Sequence, residues 1–180
     1  MPESGFWVFG YGSLLWNPGF APAEQRRARL RGYCRCFCMR SFHHRGNRER
    51  PGLVLALDQR SGAHCDGLAL RASPKDADGA LRDLRERELI SDAYIETHVR
   101  LELSGGGEAT ALAFVVDPGH EQYCGALPIE EQARIIASAR GGKGKNSEYL
   151  FKTCESLSHL GISDPVLDEL ARRVRSLTGD

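Results

Sequence analysis

Segments built to be strands follow one another through most of this chain, and only one helical stretch interrupts them. Residues 6–11, 33–39, 52–57, 65–71, 94–103 and 110–116 are rich in β-branched, aromatic or Leu residues, and turn signals bound each of them. Arg60-Ser61-Gly62 and Ser104-Gly105-Gly106-Gly107 read as hairpin connections. Such a succession favours a largely antiparallel, strongly curved sheet or a small barrel.

The helical patterns cluster later, which makes the class α+β. Ser73-Pro74-Lys75-Asp76 is a helix start: a Ser cap, Pro at the first helical position and a carboxylate three residues after the cap. That helix is expected to run to about Ile90. Pro128 opens a second, through Ile135 and Ile136 to about Arg140, and Asn146 caps a third that ends before Gly161. Ser163-Asp164-Pro165 starts a fourth, with Val166, Leu170, Val174 and Leu177 along one stripe.

At 180 residues, with no repeat or linker, the chain is expected to form a single domain over 1–180. Its 24 Lys and Arg balance 24 Asp and Glu, so no global field draws it to nucleic acid or to anionic lipid. The basic run from Arg26 to Arg31 lacks interleaved aromatics and reads as a solvated face. No apolar run reaches membrane-spanning length, and Met1-Pro2-Glu3-Ser4 does not open a signal peptide, so a cytoplasmic location is expected.

Six cysteines in a reducing compartment serve as small, buryable side chains. Cys34, Cys36 and Cys38 alternate, so on a strand their thiols share one face. Parallel thiols do not converge on a tetrahedron, and the spacing is not that of structural zinc sites, so core packing is expected in place of a metal.

The first strand breaks at Gly10-Tyr11-Gly12-Ser13-Leu14. Alternate glycines let the backbone turn sharply and approach a ligand closely. The N–H groups of such a turn can converge on an anion or a developing oxyanion. The plain alternative is a tight turn between strands.

The helix after Ser73 carries an oddity. Ala77, Leu81, Leu84 and Glu88 are spaced four, three and four apart, so a carboxylate shares the apolar stripe. A charge facing a core is costly unless it is paired or protonated, and a carboxyl so placed suits proton transfer. Alternatively Glu88 snorkels or pairs with Arg85 or a strand arginine. Glu86 occupies another face and is expected to be exposed.

Gly141-Gly142-Lys143-Gly144-Lys145-Asn146 fails as a P-loop, because Asn follows Gly144-Lys145 and a helix precedes it. Two readings stand: a feed of free N–H groups to a helix N-terminus, or a flexible helix–helix connection. Tyr149 in the first turn is placed either to reach a pocket or to pack.

Together these segments resemble the ChaC-like γ-glutamylcyclotransferases. The resemblance rests on Phe9-Gly10-Tyr11-Gly12-Ser13-Leu14-Leu15-Trp16, Arg31 to Cys38, His44-Arg45-Gly46, Arg50 to Leu57, Arg87-Glu88-Leu89 followed by Tyr94, and Gly141 to Leu150. It implies a small γ-glutamylcyclotransferase-like β-barrel with flanking α-helices. It also implies a lyase that cleaves glutathione to 5-oxoproline and cysteinylglycine without a cofactor. Tyr11, Gly12, Ser13 and Leu14 would bind the γ-glutamyl group, Glu88 would be the acid/base, and Tyr149 would line the pocket. Arg35 and Arg40 are candidates to meet the substrate's α-carboxylate. Other γ-glutamyl amines or peptides as substrates, and a non-catalytic γ-glutamyl binding module, are the alternatives.

Overall fold

The computed structural model describes residues 4–89 and 92–180. Two compact units divide the chain, Met1–Arg35 with Leu57–His120 and Cys36–Ala56 with Glu121–Asp180. Two long strands, β2 (Glu24–Ser41) and β3 (Gly52–Ala72), contribute residues to both.

The first unit is built on β1 (Phe6–Gly10), β4 (Tyr94–Leu103), β5 (Glu108–Val116) and its parts of β2 and β3. These close a barrel in the order β1-β3-β2-β4-β5. β1 runs antiparallel to β3, with Val8 opposite Leu70, and parallel to β5, with Trp7 opposite Ala111. Val8, Phe9, Leu57, Leu70, Leu101 and Phe114 are among its fully buried side chains. Ser104 to Gly107 join β4 to β5, as expected, with Leu103 N–H donating to the Gly107 carbonyl over 2.9 Å.

Three elements differ from the sequence reading. β2 begins at Glu24, so the basic run is strand and not merely a solvated face. Ala28 and Leu30 are buried, and the arginines that alternate with them point to partners: Arg29 to Asp66 and Arg31 to Glu102. Arg60-Ser61-Gly62 is not a hairpin turn. β3 continues through it, and Gly62, at φ +80, bends the strand without reversing it. The Ser73 hydroxyl donates to the Asp76 carboxylate over 2.7 Å and accepts from its N–H over 3.3 Å, but these bonds close a turn ahead of the helix. Helix α1 therefore starts later, at Ala77–Glu88; the expected end at Ile90 lies outside the described residues.

In the second unit, helices α2 (Ile129–Ser138), α3 (Asn146–His159) and α4 (Pro165–Thr178) pack on one another. Asp164 caps α4 through Leu167 N–H, with Pro165 at the first helical position. Its buried stripe is Leu167, Leu170, Ala171 and Val174; Val166 and Leu177, assigned to the stripe from spacing, are exposed. Arg140 lies beyond the end of α2, in a small hairpin of β6 (Arg140–Gly141) and β7 (Gly144–Lys145). The segment between α2 and α3 is thus ordered pairing and not a loose connection.

Candidate active site

The first unit holds the glycine turn and the carboxylate. β1 ends at Gly10, and a single 3-10 turn, Ser13–Leu15, follows. A Cβ on Gly10 would stand 3.3 Å from Leu14 Cβ, so the missing side chain is what lets the turn fold back on the strand. Leu15 N–H donates to the Gly12 carbonyl over 2.9 Å, and Asn17 N–H donates to the Ser13 carbonyl over 2.8 Å. Ser13 and Leu14 open that turn, so their own N–H groups have no acceptor within it.

Tyr11 is buried, and its phenol donates to the Phe114 carbonyl over 3.0 Å, tying the turn to β5. Arg35 donates from Nε to the Tyr11 carbonyl over 2.8 Å and from Nη2 to the Asp66 carbonyl. One guanidinium thus braces the turn against β3. Asp66 is itself engaged by Arg29 at 2.8 and 3.0 Å, and this bond, opposed by partial burial, holds its carboxyl below the ordinary carboxylate value.

Glu88 is the last residue of α1. Its side chain is 16% exposed, while Ala77, Leu81 and Leu84 on the same stripe are buried and Glu86 is exposed. The helix stripe therefore places the carboxylate as its spacing predicts. Arg87 lies beside it, with Nε 3.5 Å from a Glu88 carboxylate oxygen. From the same guanidinium, Nη2 donates to Ser13 Oγ over 2.7 Å and Nη1 to the Asn17 carbonyl over 2.5 Å. Arg87 links the end of the helix to the glycine turn. Sequence reasoning missed this role; the only available signal was the adjacency of Arg87 to the carboxylate.

Tyr149 and Arg40 belong to the second unit. Tyr149 is buried, and its hydroxyl accepts from Leu55 N–H over 3.2 Å. Asn146, fully buried, accepts from Leu53 N–H and donates to the Leu53 carbonyl, both over 2.8 Å. The Asn146 side chain is therefore a strand mimic and not the helix cap expected of it. Arg40 exchanges hydrogen bonds with Gln122: its N–H donates to the Gln122 carbonyl over 2.7 Å, and Gln122 Nε2 donates to its carbonyl over 2.8 Å.

The glycines before α3 serve close packing. A Cβ on Gly141 would stand 2.5 Å from both Gly46 N and His44 C. Gly142 and Lys143 N–H groups donate to the His43 and His44 carbonyls over 2.7 and 2.9 Å. Those two donors are spent on backbone. Arg45 is buried beneath this crossing, donating to the Lys145 carbonyl over 3.0 Å and lying 5.6 Å from the Tyr149 ring centroid. Burial pushes its pKa down, offset by Tyr149 and Glu148.

A closed barrel whose first strand ends in a glycine turn, bridged by arginine to a helix-borne carboxylate, is a framework for acid–base chemistry on a small ligand. The family model of ChaC-like proteins matches residues 6–177. The chain belongs to that family. It is 36% identical to the glutathione-specific gamma-glutamylcyclotransferase of Escherichia coli, over 99% of this chain and 77% of that protein. To gamma-glutamylcyclotransferase 2-1 of Arabidopsis thaliana it is also 36% identical, over 94% of this chain and 82% of the relative. Its fold is shared with the crystal structure of the yeast cyclotransferase specific to glutathione: TM-score 0.87, 23% identity, 96% of both chains covered.

Proposed function

We propose that this chain, as one γ-glutamylcyclotransferase-like domain over 1–180, cleaves glutathione to 5-oxoproline and cysteinylglycine in the cytoplasm. The family and the names of its relatives support a cyclotransferase acting on glutathione. The observation that supports the site is the Arg87 bridge between Glu88 and Ser13.

Glutathione carries its own nucleophile. The free α-amine of its γ-glutamyl unit has a pKa of roughly 8, so much of it is protonated at neutral pH. Glu88 as carboxylate takes that proton. The amine attacks the γ-carbonyl of the same molecule, and a five-membered lactam closes. Holding the chain bent supplies several kcal/mol of the barrier. The carbonyl oxygen becomes an oxyanion, for which the Gly12, Ser13 and Leu14 N–H groups are the donors, each worth about 3 kcal/mol. Protonated Glu88 then passes its proton to the departing cysteine nitrogen, and the freed amine takes up the second proton that the ring nitrogen gives up as the lactam forms. One carboxyl acts as base and then as acid, and no covalent enzyme intermediate forms.

In this scheme Ser13 orients and is not a nucleophile. Its hydroxyl accepts from Arg87, which fixes it and holds the turn against the end of α1. Tyr11 shapes the turn through its anchor on Phe114, and Arg35 stiffens it through the Tyr11 carbonyl.

The test is mass spectrometry of products from a panel of γ-glutamyl compounds incubated with the purified chain. Stoichiometric 5-oxoproline and cysteinylglycine from glutathione is the expected result. Release of 5-oxoproline only from other γ-glutamyl amines would move the substrate assignment. No 5-oxoproline from any member of the panel would remove the activity.

A further inference from the structure

Cys36 and Cys38 alternate on β2, and their sulfurs are joined as a disulfide, with Cα atoms 5.3 Å apart. Two residues of an extended strand span about 6.7 Å, so the strand is drawn in between these positions. Cys38 is fully buried and Cys36 half-buried. Each sulfur also lies near a backbone carbonyl oxygen: Cys36 Sγ is 3.9 Å from that of Ala56, and Cys38 Sγ is 3.6 Å from that of Cys36. The opened pair, as two thiols, has acceptors in place for both.

A ring closed through one intervening residue removes little freedom from the unfolded chain, so the bond is a poor staple. Two buryable thiols would fill the same space as well. A bond that neither stabilises nor fills has its use in opening and closing.

We propose that Cys36 and Cys38 form a reversible dithiol–disulfide couple, oxidised by a low-molecular-weight disulfide of the glutathione class. The choice of oxidant rests on the function reading above, since a protein that binds this tripeptide thiol also meets its disulfide. Cys36, the accessible member, attacks as thiolate on one sulfur of the disulfide. A Cys36–glutathione bond forms, and one glutathione thiolate leaves and takes up a proton. Cys38, deprotonated in turn, attacks Cys36 Sγ, closes the protein disulfide and expels the second glutathione, which also takes up a proton. Two protein thiols give up two electrons and two protons, and the oxidant gains both as two thiols.

The test equilibrates the full chain in dithiothreitol buffers graded from reduced to oxidised, traps thiols by alkylation and maps the peptides by mass. The expected result is that Cys36 and Cys38 lose alkylation together in one reversible transition. Full alkylation of both at the oxidising end, or a pair that stays closed in the folded protein at the reducing end, would overturn the couple. In a second arm, Cys38→Ser and Cys38→Ala, checked for folding by thermal melts, are exposed to glutathione disulfide. A single glutathione adduct on Cys36 is expected in both; its absence would overturn the choice of oxidant. The dithiothreitol arm requires no cyclotransferase activity, so its failure leaves the function reading standing. A chain inactive on glutathione leaves the couple standing in the same way.

Discussion

The Arg87 guanidinium donates from Nη2 to Ser13 Oγ over 2.7 Å, reaching across 74 positions of sequence from the end of α1 to the turn after β1. The same side chain has Nε 3.5 Å from Glu88, so a single residue links the proposed acid/base to the turn proposed to hold the oxyanion. Small displacements of reacting groups are costly, with about 100-fold lost for a misplacement near 1 Å.

Arg87→Ala is therefore expected to lower kcat by about 10- to 100-fold while KM changes less. Arg87→Lys should recover only part of the loss, since an ammonium cannot fork between Ser13 and Asn17 as a guanidinium does. Steady-state kinetics on glutathione, with circular dichroism to verify folding, decide the point. A normal kcat in Arg87→Ala would refute the positioning role.

Glu88→Gln keeps the shape and removes the titrating group. Turnover should fall by about 100- to 10,000-fold, as for loss of a general acid/base, with the melting temperature held. Glu86→Gln, on the exposed face, should leave the rate nearly unchanged. Equal rates for all three proteins would relocate the acid/base elsewhere.

Asn146→Ala strips two hydrogen bonds from the backbone of Leu53 and leaves buried polar groups unsatisfied. A loss of about 2–4 kcal/mol of stability is expected. Tyr149→Phe removes the acceptor of Leu55 N–H and should cost about 1–3 kcal/mol. Urea unfolding of the two variants measures both, and a loss of rate in Tyr149→Phe without a loss of stability would mark Tyr149 as a pocket residue before a structural one.

Acid stability should carry the signature of Asp66. The hydrogen bond from Arg29 holds its folded pKa below the ordinary 3.8. The stabilisation is therefore fully present above that value and is lost as pH falls through the lower, folded one. Asp66→Asn should flatten the acid limb of stability against pH, by no more than about 1 kcal/mol because the pair is partly exposed. Chemical unfolding from neutral pH down through the carboxylate range reads the difference.

Much of the fold was legible because side-chain alternation and helical spacing are local properties. The 94–103 strand falls where its β-branched, aromatic and Leu content and its bounding turn signals put it, and the Asp164-Pro165 start of α4 is where a cap and a first-turn proline belong. The 60–62 segment was misread because a glycine at positive φ serves a bend as well as a reversal, and only the neighbouring strands decide which. Val166 and Leu177 show the same limit, since periodicity names a face but not how far its edges are covered.

What the sequence determined by itself is the set of chemical parts: an α+β order of elements, a two-glycine turn after the first strand, and a carboxylate on the apolar stripe of α1. Each depends on residues within a few positions of one another, where spacing and propensity act directly. Only the tertiary structure decided how the parts are used. Arg87 reaches Ser13, Arg35 braces Tyr11, Asn146 completes the backbone of Leu53, and Gly141 lies flush on the backbone of His44 to Gly46. These partners are distant along the chain, and no local preference encodes a hydrogen bond or a close approach that exists only after the chain has folded.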